Sequence, residues 1–113
     1  MISKNGLTAV KGFKFAGINA GGGSKKNNIG LLYSTAKDTY GVAVYTKSDV
    51  LAAPVIVSKE NDKLTAVKRG ILINSGNANA FTGKKGIIDA KACLDKVSGL
   101  LSVKPEELYI GST

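Results

Sequence analysis

A chain of 113 residues is long enough for one domain and too short for two, because single domains cluster at about 100 to 150 residues. Its composition, 43% hydrophobic and 21% charged, is typical of a globular protein and argues against disorder. The single Cys93 excludes an intramolecular disulfide framework, and the absence of histidine excludes the usual zinc and haem sites and histidine acid–base catalysis. The formal charge of +8 indicates either an anionic partner or a missing acidic complement, and both interpretations stay open.

No stretch of the sequence reaches the roughly 18 consecutive apolar residues of a membrane helix. Residues 1–6 also lack the apolar segment of a signal peptide. We therefore expect a cytoplasmic protein with no membrane partner. The unpaired Cys93 agrees with a reducing compartment.

In the first part of the chain the pattern favours extended structure. Residues 8–17 predict an edge strand that enters a glycine-rich turn at residues 19–24. Residues 29–34 and 40–46 are short apolar runs rich in β-formers, separated by five residues that suit a hairpin loop. We expect these two runs to pair as antiparallel strands.

The middle of the chain predicts two further strands, at residues 54–58 and 67–74, joined by a polar turn at residues 59–63. Within the second strand, residues 71–73 are apolar without alternation, which is typical of a strand covered on both faces. We expect that strand at the centre of the sheet.

From Gly86 the hydrophobic period changes to that of a helix. The apolar residues recur at spacings of three and four, at Ile87, Ala90, Leu94, Val97 and Leu101. This pattern predicts an amphipathic helix over residues 86–101, with Cys93 close enough to the apolar stripe to be a packing thiol. Residues 105–107 then form a helix-start signature of proline and two acids.

The last residues, 108–113, resume a β pattern and stop without a polar tail, which we interpret as truncation. Together the elements predict an α/β fold of the α+β type. We expect a mostly antiparallel sheet of about five strands with the 86–101 helix packed on one face. Residues 1–113 are one domain or an incomplete one.

Two features invite an anion-binding interpretation and do not support it. Gly21, Gly22 and Gly23 precede two lysines, but their spacing fits neither a phosphate-binding loop nor a dinucleotide fingerprint, so we interpret them as a connector. The basic residues are spread along the chain in blocks no longer than two, which favours solvated surfaces over a nucleic-acid interface. We expect no nucleic-acid partner.

The most informative stretch lies between the central strand and the helix. It packs three asparagines and a serine between glycines in the run Asn74-Ser75-Gly76-Asn77-Ala78-Asn79-Ala80-Phe81-Thr82-Gly83. Asparagine and serine side chains can tie such a turn to its own backbone, or they can face a ligand. From the chemistry alone, a structural loop and a ligand-facing loop are equally good interpretations.

This run resembles the signature of the ornithine acetyltransferase family, the bifunctional glutamate N-acetyltransferases of arginine biosynthesis, with Phe81 in place of the usual cysteine. Three further segments resemble the family in the same order: Lys11-Gly12-Phe13 with Ala16-Gly17, Ala52-Ala53-Pro54-Val55, and Pro105-Glu106-Glu107 with Ser112-Thr113. The resemblance covers almost the whole chain and implies the N-terminal part of the α chain of an enzyme with an N-terminal-nucleophile-like fold.

The resemblance implies a precursor that cleaves itself before an internal threonine to give α and β chains. The freed threonine takes the acetyl group from N-acetylornithine and passes it to glutamate. The partners implied are the remainder of the α chain and the β chain, in a heterotetramer of two α and two β chains. No cofactor is implied, and whether acetyl-CoA also serves as a donor is left open.

Only one catalytic role of the family maps onto this sequence. Thr113 matches the threonine of a Thr-Gly pair that holds the oxyanion, while the nucleophile would lie beyond Thr113. The signature residues Asn74, Ser75, Gly76, Asn77, Asn79, Thr82 and Gly83 are expected near the active site as a scaffold. The roles of Phe81 and of the Gly21–Gly23 loop stay unassigned. The 113-residue chain alone is expected to be inactive, and a stand-alone basic module for an anionic ligand is the alternative hypothesis.

Overall fold

A computed structural model describes residues 6–23 and 25–113. The elements within these ranges are β1 (Phe13–Ile18), β2 (Ile29–Ser34), helix α1 (Ala53–Leu64), β3 (Gly70–Asn74), helix α2 (Gly83–Leu101) and β4 (Leu108–Ser112), with short 3-10 helices at Gly6–Ala9 and Pro105–Glu107.

The described residues form one mixed sheet of four strands in the order β1-β2-β3-β4. β1 pairs antiparallel with β2, and β2 pairs antiparallel with β3, whereas β3 and β4 are parallel. The parallel pair arises because α2 carries the chain back between β3 and β4, as a crossover connection must. The α+β class is therefore confirmed, and the sheet has four strands in the described part of the chain where we expected about five.

The β1–β2 connection contains the glycine-rich turn that the sequence predicted after an edge strand. Gly21, Gly22 and Gly23 all have positive φ, a conformation that glycine adopts without steric cost. The side chain of Asn28 closes the loop, accepting from the Ala20 amide at 2.8 Å and donating to the Gly21 carbonyl at 2.7 Å. Strand β2 follows, so the loop is a hairpin connector; Ser24 of the predicted turn lies outside the described residues.

The strand predicted at residues 40–46 is wrong, and so is its antiparallel pairing with residues 29–34. Only an isolated bridge between Tyr40 and Val67 forms there, and β2 pairs with β1 and β3 instead. The segment does alternate in burial, because Val42 and Val44 are each 96% exposed while Gly41, Ala43 and Tyr45 are partly buried. A Cβ at Gly41 would lie 2.5 Å from Lys68 Cγ, so the segment is pressed against side chains rather than beside a strand.

The strand predicted at residues 54–58 is also wrong, because these residues begin helix α1, and the predicted polar turn at 59–63 is the second half of that helix. Pro54 lies in the first helical turn, where its fixed φ suits a helix and its missing N–H costs nothing. Val57, Ser58 and Asn61 are buried at spacings of one and three, which places them on one helix face. Tertiary packing has overridden the β propensity of the valines and isoleucine.

Both helices pack on one face of the sheet and enclose the core. The buried apolar cluster comprises Val57, Leu72, Ala90, Leu94, Leu108 and Ile110. The predicted 86–101 helix is confirmed as α2, which begins three residues earlier at Gly83. Cys93 is exposed, so its interpretation as a packing thiol is wrong.

β3 is an interior strand, as predicted for the apolar run at residues 71–73. Leu72 points into the core beneath the helices, and its neighbour Ile73 is 43% exposed on the other face. The prediction that this strand is covered on both faces is wrong for the described chain, because both helices pack on the same side.

Candidate functional site

The run at residues 74–83, called the signature loop below, joins β3 to α2 at the end of the sheet where the parallel strands β3 and β4 both finish. Asn74 is the last residue of β3, and Gly83 is the first residue of α2. The loop turns sharply, with φ of 91° at Gly76 and 61° at Gly83. Asn79 and Phe81 also have positive φ, at 50° and 57°, which is uncommon for residues with a side chain and unusual for a bulky aromatic.

The asparagine side chains of this loop bind the loop and its helix. Asn79 donates its side-chain amide to the Gly86 carbonyl at 2.9 Å, and its side-chain oxygen accepts from the Thr82 hydroxyl at 2.6 Å. The Asn77 side-chain oxygen accepts from the Asn79 backbone amide at 3.0 Å. These contacts are those of a local structural turn, the first of the two interpretations that the sequence left open.

The start of α2 fits closely against this loop. A Cβ at Gly86 would lie 1.8 Å from Thr82 Oγ1 and 2.4 Å from Asn79 Oδ1. No side chain fits in that space, so glycine is required here by packing and not by backbone conformation. The buried Gly86 therefore lets the helix approach the Asn79–Thr82 pair.

The other end of the loop is tied to the end of β4. Thr113 donates its amide to the Asn74 carbonyl at 2.9 Å, and the Ser112 hydroxyl donates to the Asn74 side-chain oxygen at 2.5 Å. The Asn74 side-chain amide in turn donates to the Asn77 carbonyl at 3.0 Å. Thus the structure brings Thr113 beside the signature loop, although the two are far apart in the sequence. Ser75 donates its amide to the Asn28 carbonyl and joins the loop to the β1–β2 connection.

A cavity of about 510 Å³ opens between this loop, the sheet and α2. Its lining includes Asn74, Asn79, Lys85, Asp89, Cys93 and Ser112. Lys85 and Asp89 form an exposed ion pair of 2.6 Å at successive turns of the helix. The side-chain amides of Asn74 and Asn79 in its wall already donate to the backbone carbonyls of Asn77 and Gly86.

Two polar residues that the sequence did not single out hold the outer edge of β4. Ser58 of α1 donates its hydroxyl to the Ile110 carbonyl at 3.0 Å and accepts from the Ile110 amide at 3.1 Å. Asn61 donates to the carbonyls of Pro105 and Leu108, at 3.3 Å and 3.1 Å. The helix thereby satisfies backbone groups at a sheet edge that pairs with no further strand among residues 6–23 and 25–113. Their three-residue spacing was the available signal, and the strand prediction for this segment concealed it.

A buried lysine, Lys68, connects the C-terminal end of α1 to the 3-10 helix that precedes β4. Lys68 donates to the carbonyls of Asn61, Thr65 and Glu106 at 3.0, 2.9 and 2.8 Å, and its ammonium lies 3.7 Å from the Asp62 carboxylate. Burial lowers the pKa of Lys68, and the neighbouring carboxylate of Asp62 opposes that shift. All three N–H bonds are used for structure, so this lysine is not available to bind an anion.

Two tyrosines share this environment. Tyr45 donates its hydroxyl to Asp62 at 2.6 Å, and burial together with this carboxylate raises the pKa of Tyr45. Burial raises the pKa of Tyr109 to about 12, with a further contribution from Asp62. The Tyr109 hydroxyl is buried and makes no hydrogen bond to the described residues.

Residues 6–23 and 25–113 contain no cluster of three or more cysteine, aspartate and glutamate side chains that could hold a metal ion. Neither of the α-helices in these ranges is long and apolar enough to cross a membrane.

Comparison with protein families and curated proteins supports the resemblance seen in the sequence. The model of the ArgJ family matches residues 14–113. The arginine biosynthesis bifunctional protein ArgJ of Caldanaerobacter subterraneus is 43% identical over 103 residues, which cover 91% of this chain and 25% of that protein. The chloroplastic ArgJ of Citrullus lanatus is 38% identical over 109 residues, covering 96% of this chain and 24% of that one. The chain thus spans about a quarter of the length of these curated relatives.

Two solved structures match the fold. The arginine biosynthesis bifunctional protein ArgJ of Bacillus halodurans superposes with a TM-score of 0.88 at 31% identity, covering 95% of this chain and 56% of that one. The ornithine acetyltransferase of Mycobacterium tuberculosis, solved in complex with ornithine, gives a TM-score of 0.88 at 32% identity, covering 95% of this chain and 58% of that one.

Proposed function

This chain belongs to the ArgJ family, and from that premise we propose that it is the N-terminal part of an acetyltransferase of arginine biosynthesis. The reaction is the transfer of the acetyl group from N-acetylornithine to glutamate. The chain contributes the end of β4 and the signature loop to the active site, and the nucleophilic threonine lies in the remainder of the protein.

The proposed reaction has two acyl-transfer steps. The threonine hydroxyl attacks the acetyl carbonyl, a C–O bond forms, and the C–N bond breaks to release ornithine, whose amine takes up the proton. The glutamate amine then attacks the threonine ester, forming N-acetylglutamate and restoring the hydroxyl. Each step passes through a tetrahedral oxyanion, which needs hydrogen-bond donors aimed at it.

The observation that carries this proposal is the position of Thr113 in a chain whose family match extends to that residue. Thr113 follows β4 directly and donates its amide to Asn74 at 2.9 Å, so the amide is committed to the sheet. The exposed side chain remains as its donor to an oxyanion. We propose the Thr113 hydroxyl as one half of the oxyanion hole, with the amide of a following glycine as the other.

The proposal includes the substrates, partners and location that the family resemblance implied. N-acetylornithine and glutamate are the substrates, and ornithine bound to the Mycobacterium tuberculosis relative agrees with this substrate class. The partners are the remaining α chain and the β chain of a self-cleaving precursor, assembled as two α and two β chains in the cytoplasm. Acetyl-CoA is a candidate second donor, tested in the same assay. The alternative of a stand-alone basic module gains no support from Lys68, which is buried and bound inside the fold.

An assay of the complete protein tests the proposal. We expect acetyl transfer from N-acetylornithine to glutamate, and no transfer by the 113-residue chain alone. In the complete protein, Thr113→Ala should lower kcat by about 100- to 1000-fold, the usual loss of one oxyanion donor. The exposed Thr46, whose hydroxyl accepts from the nearby Ser48 amide, provides the matched control, and Thr46→Ala should leave kcat unchanged.

The possible failures are distinct. A complete protein that transfers no acetyl group between these substrates contradicts the proposed activity. If the complete protein is active and Thr113→Ala has the same kcat as Thr46→Ala, the proposed activity stands and the proposed role of Thr113 in the oxyanion hole is refuted.

A further inference from the structure

The peptide bond between Ser112 and Thr113 is held by a single residue of the neighbouring strand. The Ser112 hydroxyl donates to the side-chain oxygen of Asn74 at 2.5 Å. The Thr113 amide donates to the backbone carbonyl of the same Asn74 at 2.9 Å. One asparagine therefore accepts hydrogen bonds from both sides of this peptide unit.

The hydrogen bond between the Ser112 and Asn74 side chains stabilises the end of the β3–β4 ladder, where no further strand pair follows. Asn74 and Ser112 are the last paired residues of β3 and β4, so the Thr113 amide makes the terminal bond of the ladder. Terminal bonds open most readily, because no further pair holds them closed. Asn74 and Ser112 are half-buried, so water competes less for their side-chain bond than it would at an exposed strand end.

Asn74 is in turn oriented by the signature loop. Its side-chain amide donates to the Asn77 carbonyl at 3.0 Å, which determines which way the amide group faces and leaves its oxygen toward Ser112. Asn77 binds the Asn79 amide, and Asn79 binds Gly86 of α2 at 2.9 Å. A continuous series of hydrogen bonds thus connects the start of α2 to the end of β4.

We propose that Asn74 and Ser112 are positioning residues for the oxyanion site, acting through Thr113 and touching no substrate. The inference rests on the proposed function and adds a role for the first asparagine of the signature loop. The pair fixes the Thr113 backbone, so the hydroxyl of Thr113 faces the developing oxyanion without rearrangement. A displacement of about 1 Å at such a site is enough to lower a rate by roughly 100-fold.

The test uses steady-state kinetics of the complete protein with N-acetylornithine and glutamate. Ser112→Ala should lower kcat by about 10- to 100-fold with KM within about twofold of wild type, because only transition-state stabilisation is lost. Ser112→Thr keeps the hydroxyl, and the adjoining cavity has room for its methyl group, so it should restore kcat to within about threefold. Asn74→Asp keeps an acceptor for Ser112 but cannot donate to the Asn77 carbonyl and places a negative charge near the oxyanion site, so it should lower kcat at least as far as Ser112→Ala.

A matched control separates positioning from general stability. Ser98 is a buried serine near the C-terminal end of α2, whereas the signature loop contacts the N-terminal end of that helix. Its hydroxyl donates to the Asp95 carbonyl at 3.0 Å. Ser98→Ala removes a comparable hydrogen bond and should leave kcat unchanged. Circular dichroism and melting temperature establish the folded fraction of every variant, and rates are compared per folded molecule.

A double-mutant cycle gives the decisive comparison. If Ser112 acts through Thr113, Ser112→Ala should cause less than a twofold further loss in the Thr113→Ala background. Multiplying losses would overturn the proposal, as would a kcat for Ser112→Ala equal to wild type or to Ser98→Ala, or a Ser112→Thr variant as slow as Ser112→Ala. An inactive wild-type protein would instead refute the proposed function, so the two failures can be told apart.

Discussion

Gly86 is the position where the fit between the signature loop and α2 can be tested most directly. In an ordinary helix interior, replacing glycine by alanine stabilises a protein by about 1 kcal/mol, because alanine loses less backbone entropy on folding. At Gly86 the new methyl carbon would lie 1.8 Å from Thr82 Oγ1 and 2.6 Å from Thr82 Cβ. Rotating the threonine hydroxyl away does not relieve the second contact, so the loop or the helix must move.

The expected magnitude follows from three contributions. Overpacking of this kind costs about 1 to 3 kcal/mol, and losing one of the hydrogen bonds of Asn79 costs about 1 kcal/mol more. The helix propensity of alanine returns about 1 kcal/mol. We therefore expect Gly86→Ala to destabilise the protein by about 2 kcal/mol, which lowers the melting temperature of a domain of this size by about 10 °C.

Gly99 provides the control within the same helix. A Cβ there meets no heavy atom within 4 Å, so Gly99→Ala should raise stability by about 0.5 to 1 kcal/mol. Urea and thermal unfolding, followed by far-UV circular dichroism, measure the stability of both variants. Equal stabilisation at the two positions would refute the packing of Asn79 and Thr82 against the helix.

Two further predictions concern the buried titratable groups Lys68 and Tyr109. Lys68→Met should lower the free energy of unfolding in urea by about 3 kcal/mol, because it leaves three carbonyls without their donor. The control Lys91→Met breaks a half-exposed ion pair with Glu60 and should cost less than about 0.5 kcal/mol. Equal losses would contradict the structural role of Lys68. Because the pKa of Tyr109 is raised to about 12, its contribution to stability is present below pH 10 and is lost as the pH rises to about 12. Tyr109→Phe should therefore lose less stability than wild type as the pH rises from about 8 to about 11; parallel pH profiles would be the contrary result.

The candidate site shows which parts of a function a sequence can predict. The run from Asn74 to Gly83 was identified by its residue types, and the family match from residue 14 to 113 agrees with that identification. The same run could not reveal that Asn79 and Thr82 occupy the space above Gly86, because that contact depends on the direction from which α2 approaches. It also could not reveal that Asn74 binds Ser112, a residue 38 positions later in the chain.

The sequence alone determined the elements whose pattern and environment agree. Helix α2 and strands β2, β3 and β4 lie where the sequence pattern predicted them, because each has residues in contact with the core, whereas the strand predicted from residue 8 begins only at Phe13, after a 3-10 helix at Gly6–Ala9. The segments at 40–46 and 54–58 were both predicted wrongly as strands. A short run rich in valine and isoleucine, such as residues 54–58, fits a strand and a helix equally well, and long-range packing selects between them. The run at residues 40–46 forms neither a helix nor a ladder strand.

Only the tertiary structure decided those two segments. Around Pro54 the chain forms a helix because Val57 and Ser58 can then reach the core and the edge of β4 together. Near Val42 the chain does not pair with β2, its predicted partner, because β1 and β3 already occupy both sides of that strand. Hydrogen-bonding partners and buried area come from residues distant in the chain, and local propensities worth less than about 1 kcal/mol per residue yield to them.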